Sequence, residues 1–351
     1  MSVVLITGSC GLVGSESSIY FAKKGFDIVG IDNNYRKKFF GKDGDISWIK
    51  KKLKKNFKNY IHYNIDIRDY RNLEKIFKKY KKNIKFVIHA AAQPSHDWAK
   101  NRAFIDFDIN AKGTLNLLEL TKLYASETPF AFMSTNKLYG DNPNYLPLVE
   151  KKYRWEIKSN HKFKNGIDES MSIDNCTHSL FGTSKSYADL IVQEYGKNIG
   201  LKTACFRAGC ITGPNHSGAK LHGFLSYLVK TSLLSKKYTL IGYKGKQVRD
   251  NIHSNDLVAC FWEFFKSPVY GEVYNTGGGR YSNCSILEAL RIVENISGIK
   301  IKKKILKTNR IGDHIWYISS MKKFRKKYPN WKQKFSTQNI ISELIHQFSD
   351  R

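Results

Sequence analysis

Residues 3–14 read VVLITGSCGLVG. VVLIT is a run of β-branched and aliphatic residues, the composition of a strand buried on both faces. Gly8, Gly11 and Gly14 follow at three-residue intervals, and LVGSESSIYFAKKG (12–25) then reads as a helix ended by Gly25. A strand that turns through glycines into a helix brings bare backbone N–H groups and a helix N-terminus to one point. That arrangement suits a pyrophosphate.

Working outward, the alternation continues. FDIVGID (26–32), YIHYNID (60–66), KFVIHAA (85–91), PFAFMST (129–135) and LKTACFRA (201–208) read as strands. Between them RNLEKIFKKY (71–80), NAKGTLNLLELTKLYA (110–125) and SKSYADLIVQEYGKNIG (184–200) read as helices. Repeated βαβ units predict an α/β fold, a doubly wound parallel sheet of the Rossmann type. The later part mixes Gly-rich turns with short elements and reads as a smaller C-terminal α/β domain. A polar stretch, 141–179, reads as an insertion over the site.

Asp32 closes the second strand, about 20 residues beyond the glycines, where a carboxylate can meet the ribose hydroxyls of an adenosine. It would repel a 2′-phosphate, which favours NAD over NADP. Asp66, at the end of the third strand, is placed to meet the adenine.

Composition narrows the class. The chain of 351 residues has 59 Lys and Arg against 30 Asp and Glu, a formal charge of +29. The excess sits in short runs, KKKLKKNFK (50–58), FKKYKK (77–82) and GIKIKKKILK (298–307), which read as solvated faces. No zinc-finger, RNA-binding or heptad pattern accompanies them, so no nucleic-acid partner is expected. No run approaches the roughly 18 apolar residues of a membrane span, and no secretory leader is seen. The six cysteines form no CxxC or Cys/His cluster, which predicts reduced thiols, no metal site and a cytoplasmic protein.

Several motifs together resemble the extended short-chain dehydrogenase/reductase family, in its NAD-dependent nucleotide-sugar epimerase/dehydratase branch. They are TGSCGLVG (7–14), Asp32, DIRD (66–69), HAAAQPSHDW (89–98), NAKGTLNLLE (110–119), STNKLYGD (134–141), GKQVRDNIH (245–253) and NRIGDHIW (309–316). The resemblance covers nearly the whole chain. It implies an NAD-binding domain over 1–207 and 237–268, a substrate domain over 208–236 and 269–351, and a homodimer. It also implies a reaction: C2 of a CDP-linked deoxy sugar is inverted through a transient keto sugar, hydride leaving for the nicotinamide and returning to the other face.

The resemblance further implies roles. Gly8, Gly11, Leu12, Val13, Gly14, Asp32, Asn33, Asp66, Ile67, Ala90, Ala91, Asn110, Ser134 and Lys185 would hold the cofactor. Thr135 would hydrogen-bond the sugar oxygen, and Lys185 would bind the nicotinamide ribose. Gln93, Asn136, His222, Gly223, Phe224, Arg249 and Arg310 would hold the substrate, the two arginines at its diphosphate. A 4,6-dehydratase needs an acid and a base after the Thr, often Asp-Glu. Here Asn136 and Lys137 follow.

One position departs from the pattern. HSLFGTSK (178–185) opens a helix, and Phe181 stands four residues before Lys185, on the same face. The family has a proton-transferring Tyr there. A phenyl ring cannot titrate, and loss of a general acid/base typically removes about 10²–10⁴ in rate. Either another group moves the proton, with Thr135, His178, Tyr139 and Tyr187 as candidates, or the chain binds NAD and a nucleotide without turnover. Retention of Thr135, Lys185, Arg249 and the glycine turn favours the first.

Overall fold

The computed structural model describes residues 2–216, 223–306 and 312–349. The chain forms two compact units. The first comprises Met1–Thr135, Leu180–Arg207 and Val258–Tyr274; the second comprises Asn136–Ser179, Ala208–Leu257 and Asn275–Arg351. Residues 141–179 and 237–257 thus belong to the second unit.

The first unit is built on a parallel seven-stranded sheet. Its strands are β1 (Val3–Thr7), β2 (Asp27–Ile31), β3 (Tyr60–Tyr63), β4 (Ile84–His89), β5 (Phe130–Thr135), β6 (Thr203–Ala208) and β7 (Glu272–Thr276). Their order is β7-β6-β5-β4-β1-β2-β3. β1 runs parallel to β2 and β4, with Thr7 opposite Ile31 and His89. The chain winds outward from β1 to β3 and then crosses to β4. The switch point therefore lies beyond the carboxyl ends of β1 and β4, the usual place for a ligand in such sheets.

Both faces are covered, which explains why all five residues of β1 are buried. On one face Leu5, Val87, Phe130 and Phe132 pack with Phe77, Leu117, Leu118, Ala188 and Val192 of three helices. On the other, the Phe21 and Phe86 ring centroids stand 5.5 Å apart, and Trp262 and Phe265, stacked on each other, both meet Phe21 edge-on. Phe86 and Val87 point to opposite faces, as neighbours in a strand must.

The six strands read from the sequence are present. β7, and a Lys-rich helix over Ser47–Asn56 where a solvated run was expected, are additional. That helix buries Ile49 and Leu53 alone, too sparse a stripe to stand out among lysines. The helix expected over 110–125 begins earlier. It runs as Ala103–Phe107, a π-helical turn Asp108–Lys112, and Gly113–Tyr124.

In the second unit Cys210–Thr212, Val248–His253, Asn283–Ser285 and Trp316–Tyr317 form a small sheet around Val248–His253. The 141–179 segment is anchored there, since Ile157, Phe163, Ile167 and Met171 share a core with Tyr139, Val248, Trp316 and Tyr317. No helix among the described residues is long and apolar enough to cross a membrane. Among the described residues no group of three or more His, Cys, Asp or Glu could hold a metal ion.

Candidate active site

The glycine turn closes at the tip of β1. Gly8 adopts φ +65°, and a Cβ there would lie 2.8 Å from the Ala91 nitrogen and 2.9 Å from the Ala90 carbonyl. A Cβ on Gly14 would collide with the Gly8 carbonyl oxygen. Glycine is therefore required at both positions, and the inside of the turn is lined by backbone. Leu12 and Val13 open the helix Leu12–Lys23, partly exposed.

Asp32 follows β2. One carboxylate oxygen accepts from Cys10 N at 3.0 Å and the other from Asn34 N at 2.8 Å. Each oxygen keeps a further lone pair for a ribose hydroxyl. Burial raises the Asp32 pKa, opposed by these two N–H groups and by Lys50 and Arg36. Arg36 is a site neighbour that sequence reasoning missed.

Asp66 is more occupied. Arg68 binds it through Nε at 2.9 Å and NH2 at 2.7 Å, and Asn33 Nδ2 donates to it at 2.9 Å. Burial opposes its ionisation, but the bonds from Arg68 and Asn33 prevail and its pKa is lowered. Ile67 is buried against Gly113.

At the end of β5, Ser134 and Thr135 point to opposite faces. Ser134 donates to Asp189 Oδ2 at 2.5 Å, and Asp189 pairs with Arg207 at 2.7 Å in a nearly solvent-free contact. Lys185 is buried, with Nζ donating to Met133 O at 2.8 Å and standing 4.1 Å over the Phe132 ring. Burial lowers its pKa from the usual 10.5 to about 8, against the attraction of Asp189, Cys205 and Asp106. Phe181 lies one turn earlier, 7% exposed. Its ring meets the His96 imidazole edge-on, centroids 4.9 Å apart.

Beneath these residues runs a buried polar network. Thr114 donates to Asn110 O at 2.6 Å, so its oxygen accepts from His89 Nε2 at 2.9 Å. His89 Nδ1 then accepts from Thr7 at 2.7 Å, which fixes a neutral tautomer. Burial, helped by Lys185, holds the His89 pKa well below its usual value. Asn110 sits in the π-helical turn and brackets the Gln93 backbone, accepting from its N at 2.9 Å and donating to its O at 3.1 Å. Asn110 also donates to Ser184 and Asp106, and Gln93 donates to Asp106 at 2.6 Å. Burial raises the Asp106 pKa, against bonds from Ser184 and Gln93.

The structure thus gathers into the first unit all the residues expected at the cofactor, with Gln93, Thr135 and Phe181. Asn136, His178, Gly223, Phe224 and Arg249 belong to the second. There Asn136 is buried, Gly223 (φ +91°) precedes the helix Phe224–Leu233, and Arg249 NH2 is 3.7 Å from Asp313. Arg249 and Lys137 both act on Cys210, whose thiol burial pushes up to about 11. His178 Nε2 is tied to Leu138 O at 2.6 Å. Tyr139 is fully buried and donates to Asn275 at 2.7 Å, so it is a core residue. Tyr187 is exposed beside Phe107. His222 and Arg310 lie outside the described residues.

Residues 4–277 match the NAD dependent epimerase/dehydratase family. The chain belongs to that family. Among curated relatives it is 29% identical to a CDP-paratose 2-epimerase of Salmonella typhi, over 97% of each chain. Its fold is shared by UDP-glucose 4-epimerases of Thermotoga maritima, solved with UDP-glucose (TM-score 0.78, 21% identity), and Thermus thermophilus, in complex with NAD (TM-score 0.77, 23% identity). Each of these alignments covers 99% of both chains.

An NAD dependent epimerase/dehydratase must accommodate a dinucleotide, and the residues present fit one. The turn presents backbone alone to a pyrophosphate, Asp32 retains acceptor capacity, and the Lys185 ammonium is held toward the end of β5, on the far side of β4 from the turn.

Proposed function

We propose that the protein is an NAD-dependent nucleotide-sugar epimerase that inverts C2 of a CDP-linked deoxy sugar through a transient keto sugar. The observation that carries this reading is one arrangement. The glycine turn, Asp32, Thr135 and a Lys185 of lowered pKa all stand at the carboxyl ends of one parallel sheet. The preference for CDP and for C2 draws on the similarity to the Salmonella typhi enzyme along both whole chains.

When bound, NAD supplies a hydride acceptor that is regenerated each turnover. The protein's part is to orient and to polarise. Thr135 hydrogen-bonds the reacting sugar oxygen. Lys185 anchors the nicotinamide ribose and places a positive charge where negative charge develops on that oxygen. Arg249 and Arg310 hold the diphosphate, a task suited to planar guanidinium groups. Asn136 and Lys137 replace the acid–base pair of a dehydratase, which favours epimerisation.

The protein acts as a homodimer in this reading. Phe104, 89% exposed, and the exposed Phe107, Tyr187 and Leu190 form an apolar surface on the helices Ala103–Phe107 and Leu180–Lys197. Sedimentation of wild type and Phe104→Glu tests it; a monomeric wild type contradicts it. None of the six cysteines forms a disulfide, which fits a cytoplasmic setting.

The experiment is a panel. Purified protein is incubated with CDP-paratose, CDP-tyvelose, UDP-glucose and UDP-glucuronate, and products are resolved by NMR. C2 inversion of a CDP-sugar supports the reading, and C4 inversion of a UDP-sugar replaces it with another epimerase. NAD bound without turnover of any sugar indicates a non-catalytic binding protein.

A further inference from the structure

Phe181 removes a proton-transfer group, and the structure shows what lies beside it. His96 opens a short helix, His96–Lys100, in the segment after β4. Its imidazole contacts the Phe181 ring at 4.9 Å between centroids, the planes inclined at 63°. The two residues are 85 positions apart, so only the fold brings them together.

The contact is built rather than incidental. Ser95 caps the short helix, accepting from Trp98 N at 3.3 Å. Gln93 folds over the turn, accepting from Ser95 N and donating to Ser95 O at 2.9 Å and Asp106 at 2.6 Å. Asn110 clamps the Gln93 backbone and donates to Ser184, whose hydroxyl donates to Phe181 O at 3.1 Å. One hydrogen-bond network therefore fixes both the segment carrying His96 and the helix turn carrying Phe181. Trp98 is braced in turn by Phe39, at 4.6 Å.

The tyrosines near Phe181 and Thr135 in sequence do not serve as substitutes. Tyr139 is a core residue committed to Asn275, and Tyr187 faces outward beside Phe107. His178 is held by the Leu138 carbonyl.

We infer that His96 is the catalytic acid–base of this site, in place of the missing phenol. The inference rests on the epimerase reading above. In the oxidative half-reaction the C–H bond of the sugar carbinol breaks, and its electron pair leaves with the hydrogen to the NAD that the family employs. The O–H bond breaks at the same carbon, its proton passes to an imidazole nitrogen of His96, and a C=O bond forms. The reductive half-reaction reverses both transfers on the other face, and His96 returns the proton to oxygen. Neither protons nor electrons are left over. An ordinary imidazole titrates near 6.5 and a phenol near 10, so the exchange places an acid–base nearer neutrality. Phe181 then serves as an apolar wall that holds the imidazole edge-on.

The test uses NAD-loaded wild type, His96→Gln and His96→Gln/Phe181→Tyr. NADH formation is followed in a single turnover with the nucleotide sugar that wild type converts, and binding is measured by calorimetry. His96→Gln should lower the rate by about 10²–10⁴ with dissociation constants unchanged, and the added tyrosine should restore part of it. In wild type, the His96 Cε1–H resonance, assigned by its loss in His96→Gln, should shift when the nucleotide sugar is added and stay when CDP alone is. A His96→Gln variant as fast as wild type, or a resonance indifferent to the sugar, overturns the inference and leaves the epimerase reading intact. Wild type inert toward every nucleotide sugar overturns both.

Discussion

Lys185 Nζ donates to the main-chain carbonyl of Met133 at 2.8 Å, which pins a buried ammonium against the end of β5. The helix Leu180–Lys197 and the strand Phe130–Thr135 are thereby joined at the point where Thr135 presents its hydroxyl.

The pinned ammonium titrates early. Its pKa is lowered from 10.5 to about 8 by burial. Below that value Lys185 is charged, and above it the charge is lost. NAD affinity, followed by tryptophan fluorescence, should fall as pH rises through about 8, and Lys185→Met should flatten that dependence. For stability the sign is opposite. Between about 8 and 10.5 the unfolded chain binds the extra proton, so this group's contribution becomes more favourable as pH rises.

Asp32 should set the choice of dinucleotide. Both its oxygens already accept main-chain N–H groups, from Cys10 and Asn34, which orient the carboxylate for a diol, and its negative charge opposes a phosphate. Asp32→Asn should weaken NAD and improve NADP relative to it, by about tenfold in the ratio for a 1.4 kcal/mol change. Calorimetry with both dinucleotides measures it.

Gly14 admits no side chain, because a Cβ would meet the Gly8 carbonyl. Gly14→Ala should cost about 1–3 kcal/mol of stability, the usual range for overpacking, and abolish detectable NAD binding. Urea denaturation and NAD titration check the two effects separately.

The Asp189–Arg207 pair supports the site from behind, since Asp189 also accepts from Ser134. Arg207→Met leaves a buried carboxylate without its cation and should cost about 3–5 kcal/mol. Asp189→Asn/Arg207→Met should recover part of that loss, as read by urea midpoints.

Much of this architecture is written locally. VVLIT and the glycines at 8, 11 and 14 specify strand, turn and helix within one short stretch, and buried parallel strands announce themselves as apolar runs. Asp32 and Lys185 were singled out from local sequence, Asp32 as the residue directly after β2 and Lys185 as the residue four positions after Phe181 on one helix face. The π-helical turn at Asn110 was not, because no residue pattern marks one inserted residue in a helix. Nor was the His96–Phe181 contact, since pairing across 85 residues is decided by packing rather than by either local sequence. β7 was missed because EVYNT mixes the polar Glu272 and Asn275 into a short run and leads straight into Gly277–Gly279, so it does not stand out as an apolar strand.

The most direct test of the epimerase account uses a CDP-linked deoxy sugar carrying deuterium at C2. Incubated with the purified protein and examined by NMR, it should yield the C2 epimer with deuterium retained at C2, because the hydrogen that leaves is the one that returns. An unchanged sugar, or inversion with the label washed out to solvent, would contradict the account.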